Sequence, residues 1–192
     1  MATLLSGIPV ETGKGSGGLY TVFITELTNV PASGVTFTSG VVKIKTSAGV
    51  WKQYVLAKEA GSTFTSVYTG NVANGTGEYA NSLTMIFRRN QVSKRNELKV
   101  LANSPLVVVV LDNITTTLTG DCTISTSYVF GLPFCVNMGG ADVTSGTIAT
   151  GAQMTDANSL TIVITDKETA PPPSLRDADI TLLKAGSALT NT

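Results

Sequence analysis

Alternation at period two is the feature that most limits this chain. In "SLTMIFRR" (82–89), Leu83, Met85 and Phe87 fall on one side of an extended backbone, and Ser82, Thr84 and Ile86 on the other. Successive side chains of a strand point to opposite faces, so such a segment buries one face and leaves the other less apolar. "LYTVFITEL" (19–27), "GSTFTSVYTG" (61–70), "CTISTSYVFGL" (122–132) and "SLTIVITDKE" (159–168) carry strand composition too. The chain is therefore expected to be mainly β.

Turn residues suggest how the strands pair. "NVANGTG" predicts that 61–70 and 77–89 form an antiparallel pair. "GVVKIKTSAGVWKQYVLAKE" (40–59) predicts a hairpin turned at "TSAG", with Val42 and Ile44 alternating with Val41, Lys43 and Lys45. Val41, Val42, Ile44, Leu83, Met85, Ile86 and Phe87 exceed what one buried face needs. The 40–89 region, Ile86 included, is accordingly expected to serve both a core and an intersubunit face.

Helical spacing occurs at one place. Asn90 suits an N-cap, and about 91–102 holds strong helix formers with no Gly or Pro. Leu98, Leu101 and Ala102 make a narrow apolar stripe, and "NSP" (103–105) stops the helix. "LVVVVLD" (106–112) is apolar without alternation, which predicts a strand covered on both faces, one cover being this helix.

The same helix concentrates charge. Arg88, Arg89, Lys94, Arg95 and Lys99 are answered only by Glu97, within a chain holding 13 basic and 13 acidic residues. Setting those five bases and one acid aside leaves 8 basic and 12 acidic side chains. No aromatic interleaves the bases between Asn90 and Leu111, which argues against a nucleic-acid grip. A solvated face or a contact to an acidic neighbouring subunit fits better.

Catalytic chemistry finds little to work with. Histidine is absent, which removes the commonest general base and metal ligand. Cys122 and Cys135 match no zinc spacing and read as small buried apolar residues, with a disulfide the alternative. "ETGKGSGG" (11–18) lacks the spacing and the following helix of a phosphate loop. Asn74-Gly-Thr and Asn113-Ile-Thr read as turns, and Glu26, Glu59, Glu78 and Glu168 form no cluster the sequence can show. No enzyme activity, cofactor or metal is expected. The longest apolar run is Leu106–Leu111, far short of the ~20 residues that span a bilayer. With no signal-peptide pattern at the start, a soluble protein made in a cytoplasm is expected.

The length of 192 residues suits one domain with arms. Residues 1–18 are expected as a flexible N-terminal arm and 19–173 as the β domain. "APPP" (170–173) reads as a stiff exit, leaving 174–192 as a C-terminal arm. The apolar knot of that arm, Ile180, Leu182 and Leu183, is expected to pair with its own sheet edge or a neighbour's.

The order of these segments carries a resemblance. "YANSLTMIFRR", the basic helix "NQVSKRNELKVLANS", the strand "PLVVVVLDN", "ATGAQMTDANSLTIVITDKE" and the proline-rich exit follow one another. This resembles the tail tube (major tail) proteins of tailed bacteriophages, especially those of phages infecting Bacteroidota, over about 19–173. Thr150, Gly151, Ala152, Met154, Asp156, Asn158, Ser159, Leu160, Thr161 and Ile162 carry the last motif. After Asp-Asn the chain departs from the family pattern, running "ITTTLTGDCTISTSYVFGL", and Ser159 and Leu160 stand where Gly and an aromatic are expected.

The resemblance implies an antiparallel β-sandwich or partly open β-barrel with one flanking helix. It implies a virion structural subunit that assembles, six to a ring, into a stacked tail tube conducting DNA into the host. The partners implied are other copies, other tail or neck proteins, and DNA only as passing cargo. The place implied is the virion tail, assembled in the bacterial cytoplasm. In such a ring the helix packs outside the channel, so Arg88, Arg89, Lys94, Arg95 and Lys99 would meet subunits or solvent. The departures leave a related ring, terminator or baseplate component as an alternative. A surface-binding or decoration β-sandwich is a further one.

Overall fold

The computed structural model describes residues 18–56, 61–71, 74–88, 92–115, 125–133, 139–150 and 158–189. Arg89, Asn90, Cys122, Cys135 and the 1–17 part of the expected N-terminal arm lie outside them, as do Gly151, Ala152, Met154 and Asp156. Strands make up 55% of the described residues, so pairing between strands decides the architecture, which is mainly β and antiparallel.

Three sheets account for the eleven strands of the described residues. A central sheet has the order β4 (Lys52–Val55), β1 (Leu19–Glu26), β7 (Leu106–Thr115), β8 (Ser125–Phe130). An outer sheet has the order β5 (Thr63–Asn71), β6 (Thr76–Arg88), β10 (Ser159–Glu168), β9 (Asp142–Ala149). A small sheet joins β2 (Val35–Thr38), β3 (Val41–Ile44) and the short β11 (Ser174–Leu175), which runs parallel to β3. The helices are α1 (Val92–Leu101) and α2 (Asp177–Lys184).

The central sheet is the middle of three layers, and β7 shows why its sequence does not alternate. Val108 and Val110 enter one core with Leu83, Met85, Leu160, Ile162 and Ile164 of the outer sheet. Val107, Val109 and Leu111 enter a second core with Val42, Ile44 and Leu175 of the small sheet and Ile180 and Leu183 of α2. A strand with a hydrophobic layer on each side needs apolar residues at both parities. β1 divides the same way, with Val22 and Ile24 in the first core and Phe23 in the second.

The two large sheets are fastened at one corner. Leu106 and Ala141 exchange backbone hydrogen bonds of 2.9 and 2.7 Å, so the start of β7 bridges to the residue before β9. The sandwich is thus closed at that corner, and no closed barrel forms among the described residues. The α1 helix is not the expected cover of β7, whose faces meet the outer sheet and the small sheet with α2; instead Leu101 joins the edge of the first core and Leu98 lies against Gly146 of β9. A Cβ at Gly146 would sit 2.8 Å from the end of the Leu98 side chain, so a larger residue there would have to displace Leu98. Ala102, assigned to the apolar stripe, is exposed.

Two expectations are corrected. The 40–59 segment is not a hairpin: β3 pairs with β2, while β4 pairs with β1 in the central sheet. The "TSAG" stretch carries the chain from one layer to another, and Trp51 beside it packs on the second core and donates to Thr46 Oγ1 at 2.9 Å. The 174–189 segment is not a free arm. Ser127 Oγ accepts the Leu175 N–H at 2.8 Å, and the amides of Ser174 and Arg176 donate to Gly40 and Val42. In α2, Ile180 and Leu183 are buried in this chain's own core and Leu182 packs half-buried against it. Of the two partners expected for Ile180, Leu182 and Leu183, the structure shows the chain's own layers. Apolar side chains already removed from water offer a neighbour little.

Candidate interaction surfaces

The inward parity of the outer sheet fills the first core, so its other parity forms a face that no described layer covers. Cross-strand register assembles that face in rows, Thr63, Thr84, Val163 and Ser145 in one and Thr65, Ser82, Thr165 and Asp142 in the next. Ile86 and Thr161 continue it beside Thr147. Hydroxyls dominate, and the Lys167–Glu78 ion pair of 2.8 Å sits toward one end. Among the described residues both strands at the margins, β5 and β9, have a partner on one side only. Such edges present unpaired backbone groups that favour addition of another strand.

Beyond Glu168, the last residue of β10 and opposite Tyr79, the β5–β6 hairpin runs on without a third strand among the described residues, from the Thr69–Glu78 pair to Asn71 opposite Thr76. Tyr68, 60% exposed, lies across Gly77 and Gly70 and meets the Tyr79 ring at 5.0 Å between centroids. A ring laid over a cross-strand glycine restores contact that the glycine lacks. The hairpin also carries Val67, 56% exposed, so two large side chains project at the margin of the fold.

The basic residues sit elsewhere. Because Gly146 is opposite Ile162 on the inward parity, α1 lies on the core side of the outer sheet, away from the hydroxyl face. Arg95 and Lys99 are exposed; Lys94 is half-buried and donates to the Arg88 carbonyl at 2.7 Å. Glu97 faces inward and accepts from the Tyr54 hydroxyl at 2.5 Å, tying α1 to β4. Burial, and then the Glu97 hydrogen bond and charge, push the Tyr54 phenol far above its ordinary range, which makes it a fixed donor. Of the predicted residues, the structure thus groups Lys94, Arg95 and Lys99 on α1. It places Arg88 at the exposed end of β6 and Ile86 half-buried on the hydroxyl face.

One polar group was missed. Asp166 and Glu168 lie on the inward parity of β10, opposite Asn81 and Tyr79. The Gly131 N–H, just past β8, donates to Asp166 Oδ2 at 3.0 Å and to Glu168 Oε1 at 3.2 Å. Asn81 Nδ2 donates to Glu168 Oε2 at 3.2 Å, while Asn81 Oδ1 is buried without a partner. Burial pushes the Glu168 carboxyl up to about 8, aided by the Asp166 charge and hydrogen bond and opposed by Gly131 and Asn81. The signal was present in the sequence: residues 166 and 168 share parity with Ile162 and Ile164, so the alternation points both acids inward.

These features define a mainly β, layered protein with one uncovered sheet face and open sheet edges. No family model, curated protein or solved structure matches the chain. Among the described residues no group of three His, Cys, Asp or Glu side chains could hold a metal, and no helix is long and apolar enough to cross a membrane.

Proposed function

We propose that the chain is a virion structural subunit of the phage tail-tube type, whose copies close into rings that stack around passing DNA. The observation that carries this reading is the outer sheet, with an uncovered face and two open edges. Joining β5 of one copy to β9 of the next would satisfy both edges and extend the sheet around a ring. The hydroxyl face would then form the wall of the channel, and six copies are the number the resemblance implies. A wall of Thr and Ser suits passage, because each phosphate neutralised by a cation adds affinity and would slow the cargo. The position of α1 supports the same arrangement, since Lys94, Arg95 and Lys99 would face away from that wall toward neighbours.

Negative-stain microscopy and sedimentation of the purified chain test the proposal. Rings or tubes are the expected result. A monomer that persists across concentration overturns it and favours the decoration-module alternative. A single ring that never stacks favours a terminator or baseplate position in the same assembly.

A further inference from the structure

The root of the β5–β6 hairpin carries an arrangement that the assembly reading does not use. Two carboxyl groups from one strand converge on one backbone N–H from the other large sheet, within a mostly buried site. We propose that Asp166, Glu168, Asn81 and the Gly131 amide form a proton-operated latch that holds the two large sheets together at the root of this hairpin.

The geometry supplies the coupling. Gly131 belongs to the connection leaving the central sheet, and its carbonyl also accepts from the Gly140 amide. A Cβ at Gly131 would lie 2.3 Å from the Leu106 carbonyl oxygen, and its φ of +76° favours glycine. The donor is therefore held beside the Leu106–Ala141 corner and cannot easily retreat. On the other side, Asp166 and Glu168 are opposite Asn81 and Tyr79, the last β6 residues before the hairpin leaves β10. A bond between Gly131 and these acids thus ties the hairpin root to the rigid corner.

Neutral N–H donors do not cancel the charge of two neighbouring carboxylates, so the site needs a proton. The groups that face the acids are Asn81 and Tyr79 from β6 and the Gly131 amide from the central sheet. The nearest cation by sequence, Lys167, points to the opposite parity and pairs with Glu78; only its backbone N–H reaches Asp166 Oδ1, at 2.7 Å. With the proton in place, Glu168 is neutral beside a charged Asp166. Once it leaves, two negative charges meet at the shared Gly131 N–H, with only the neutral Asn81 amide and the Lys167 N–H as further donors, and the repulsion favours opening.

The sign follows from the raised carboxyl. Glu168 holds its proton up to about 8 when the site is closed, against 4.5 for the ordinary group. The closed form binds the extra proton, so the latch contributes fully below the lower value, weakens as pH rises between the two, and is flat above. One proton corresponds to about a tenfold rise in the opening equilibrium per pH unit within that window.

Amide hydrogen exchange at 79–84 in the purified chain, corrected for the intrinsic pH dependence of exchange, reads this directly. Between pH 5.5 and 7.5 the opening constant is expected to rise about a hundredfold in the parent and to stay level in Glu168→Gln. A level profile in the parent, or an equal rise in the variant, overturns the latch. If Glu168→Gln does not fold, the carboxyl carbon resonance of Glu168 in the parent decides. A midpoint well above the ordinary carboxylate range supports the latch, and one within that range refutes it. The latch lies inside one chain, so neither result depends on ring formation.

Discussion

In β7 every residue from Leu106 to Leu111 is at most 2% exposed, whereas in β5 every residue except Phe64 is exposed. Both are strands of four-stranded antiparallel sheets, and both contain β-branched side chains. The difference lies in what stands on either side. β7 has a hydrophobic layer on each face and a hydrogen-bonded strand on each edge; β5 is an edge strand that extends past the layer beneath it. Stability is therefore concentrated in the middle of the molecule, and unpaired strand edge is concentrated at its margin.

Four variants would break or sharpen this contrast. Val109→Asp should have the largest effect, because it places a carboxylate in the second core with no partner. Loss of any cooperative unfolding transition is expected by circular dichroism. Leu183→Ala should cost ~2–4 kcal/mol in urea unfolding if α2 is part of the core as described; a value near zero would return 174–189 to the status of a loose arm. Ile86→Lys should cost at most ~1 kcal/mol, since the side chain is half-buried on the hydroxyl face. Under the ring reading it should nonetheless abolish rings in electron micrographs. The double reversal Arg95→Glu, Lys99→Glu should shift unfolding least, within about 0.5 kcal/mol per site. Its expected consequence is weaker assembly at low salt, with the deficit narrowing near 1 M salt, where the Debye length is ~3 Å. Unchanged sedimentation at low salt would remove these two side chains from the interface.

How much of this could be read beforehand depends on the kind of information each feature needs. The facing of β6, the Asn71–Thr76 hairpin and the two-sided burial of β7 were legible because each follows from local period or turn chemistry. The helix was legible too, to within a residue or two of Val92 and Leu101. Strand partners were not. The alternation of Val42 and Ile44 tells which face is buried but equally suits pairing with β4 or with β2, and the structure uses β2. The proline run misled for a related reason. A stiff segment after β10 leaves the sheet, yet it returns the chain to the far side of the molecule, where Pro173 accepts from the Val129 amide. Ile180 and Leu183 then find the second core, a layer that no local pattern announces. At the candidate surfaces, charge clustering on α1 was visible from spacing, whereas the open edges of the outer sheet emerge only from strand order.

The pairing of β1 with β7 bears on how the chain is made. Leu19 is opposite Asp112 and Glu26 opposite Leu106, so the first strand finds this neighbour only after more than half of the chain exists. The β5–β6 hairpin, with Asn71 opposite Thr76, needs no distant segment. Sequence-distant pairings form slowly because the intervening loop must close first. At ribosomal speeds of roughly 5–20 residues per second, β1 waits on the order of ten seconds for β7. The element that matures first is thus the one left most exposed. The hazard of misassembly during synthesis falls on Val22, Phe23 and Ile24, not on the strands at the margin of the fold.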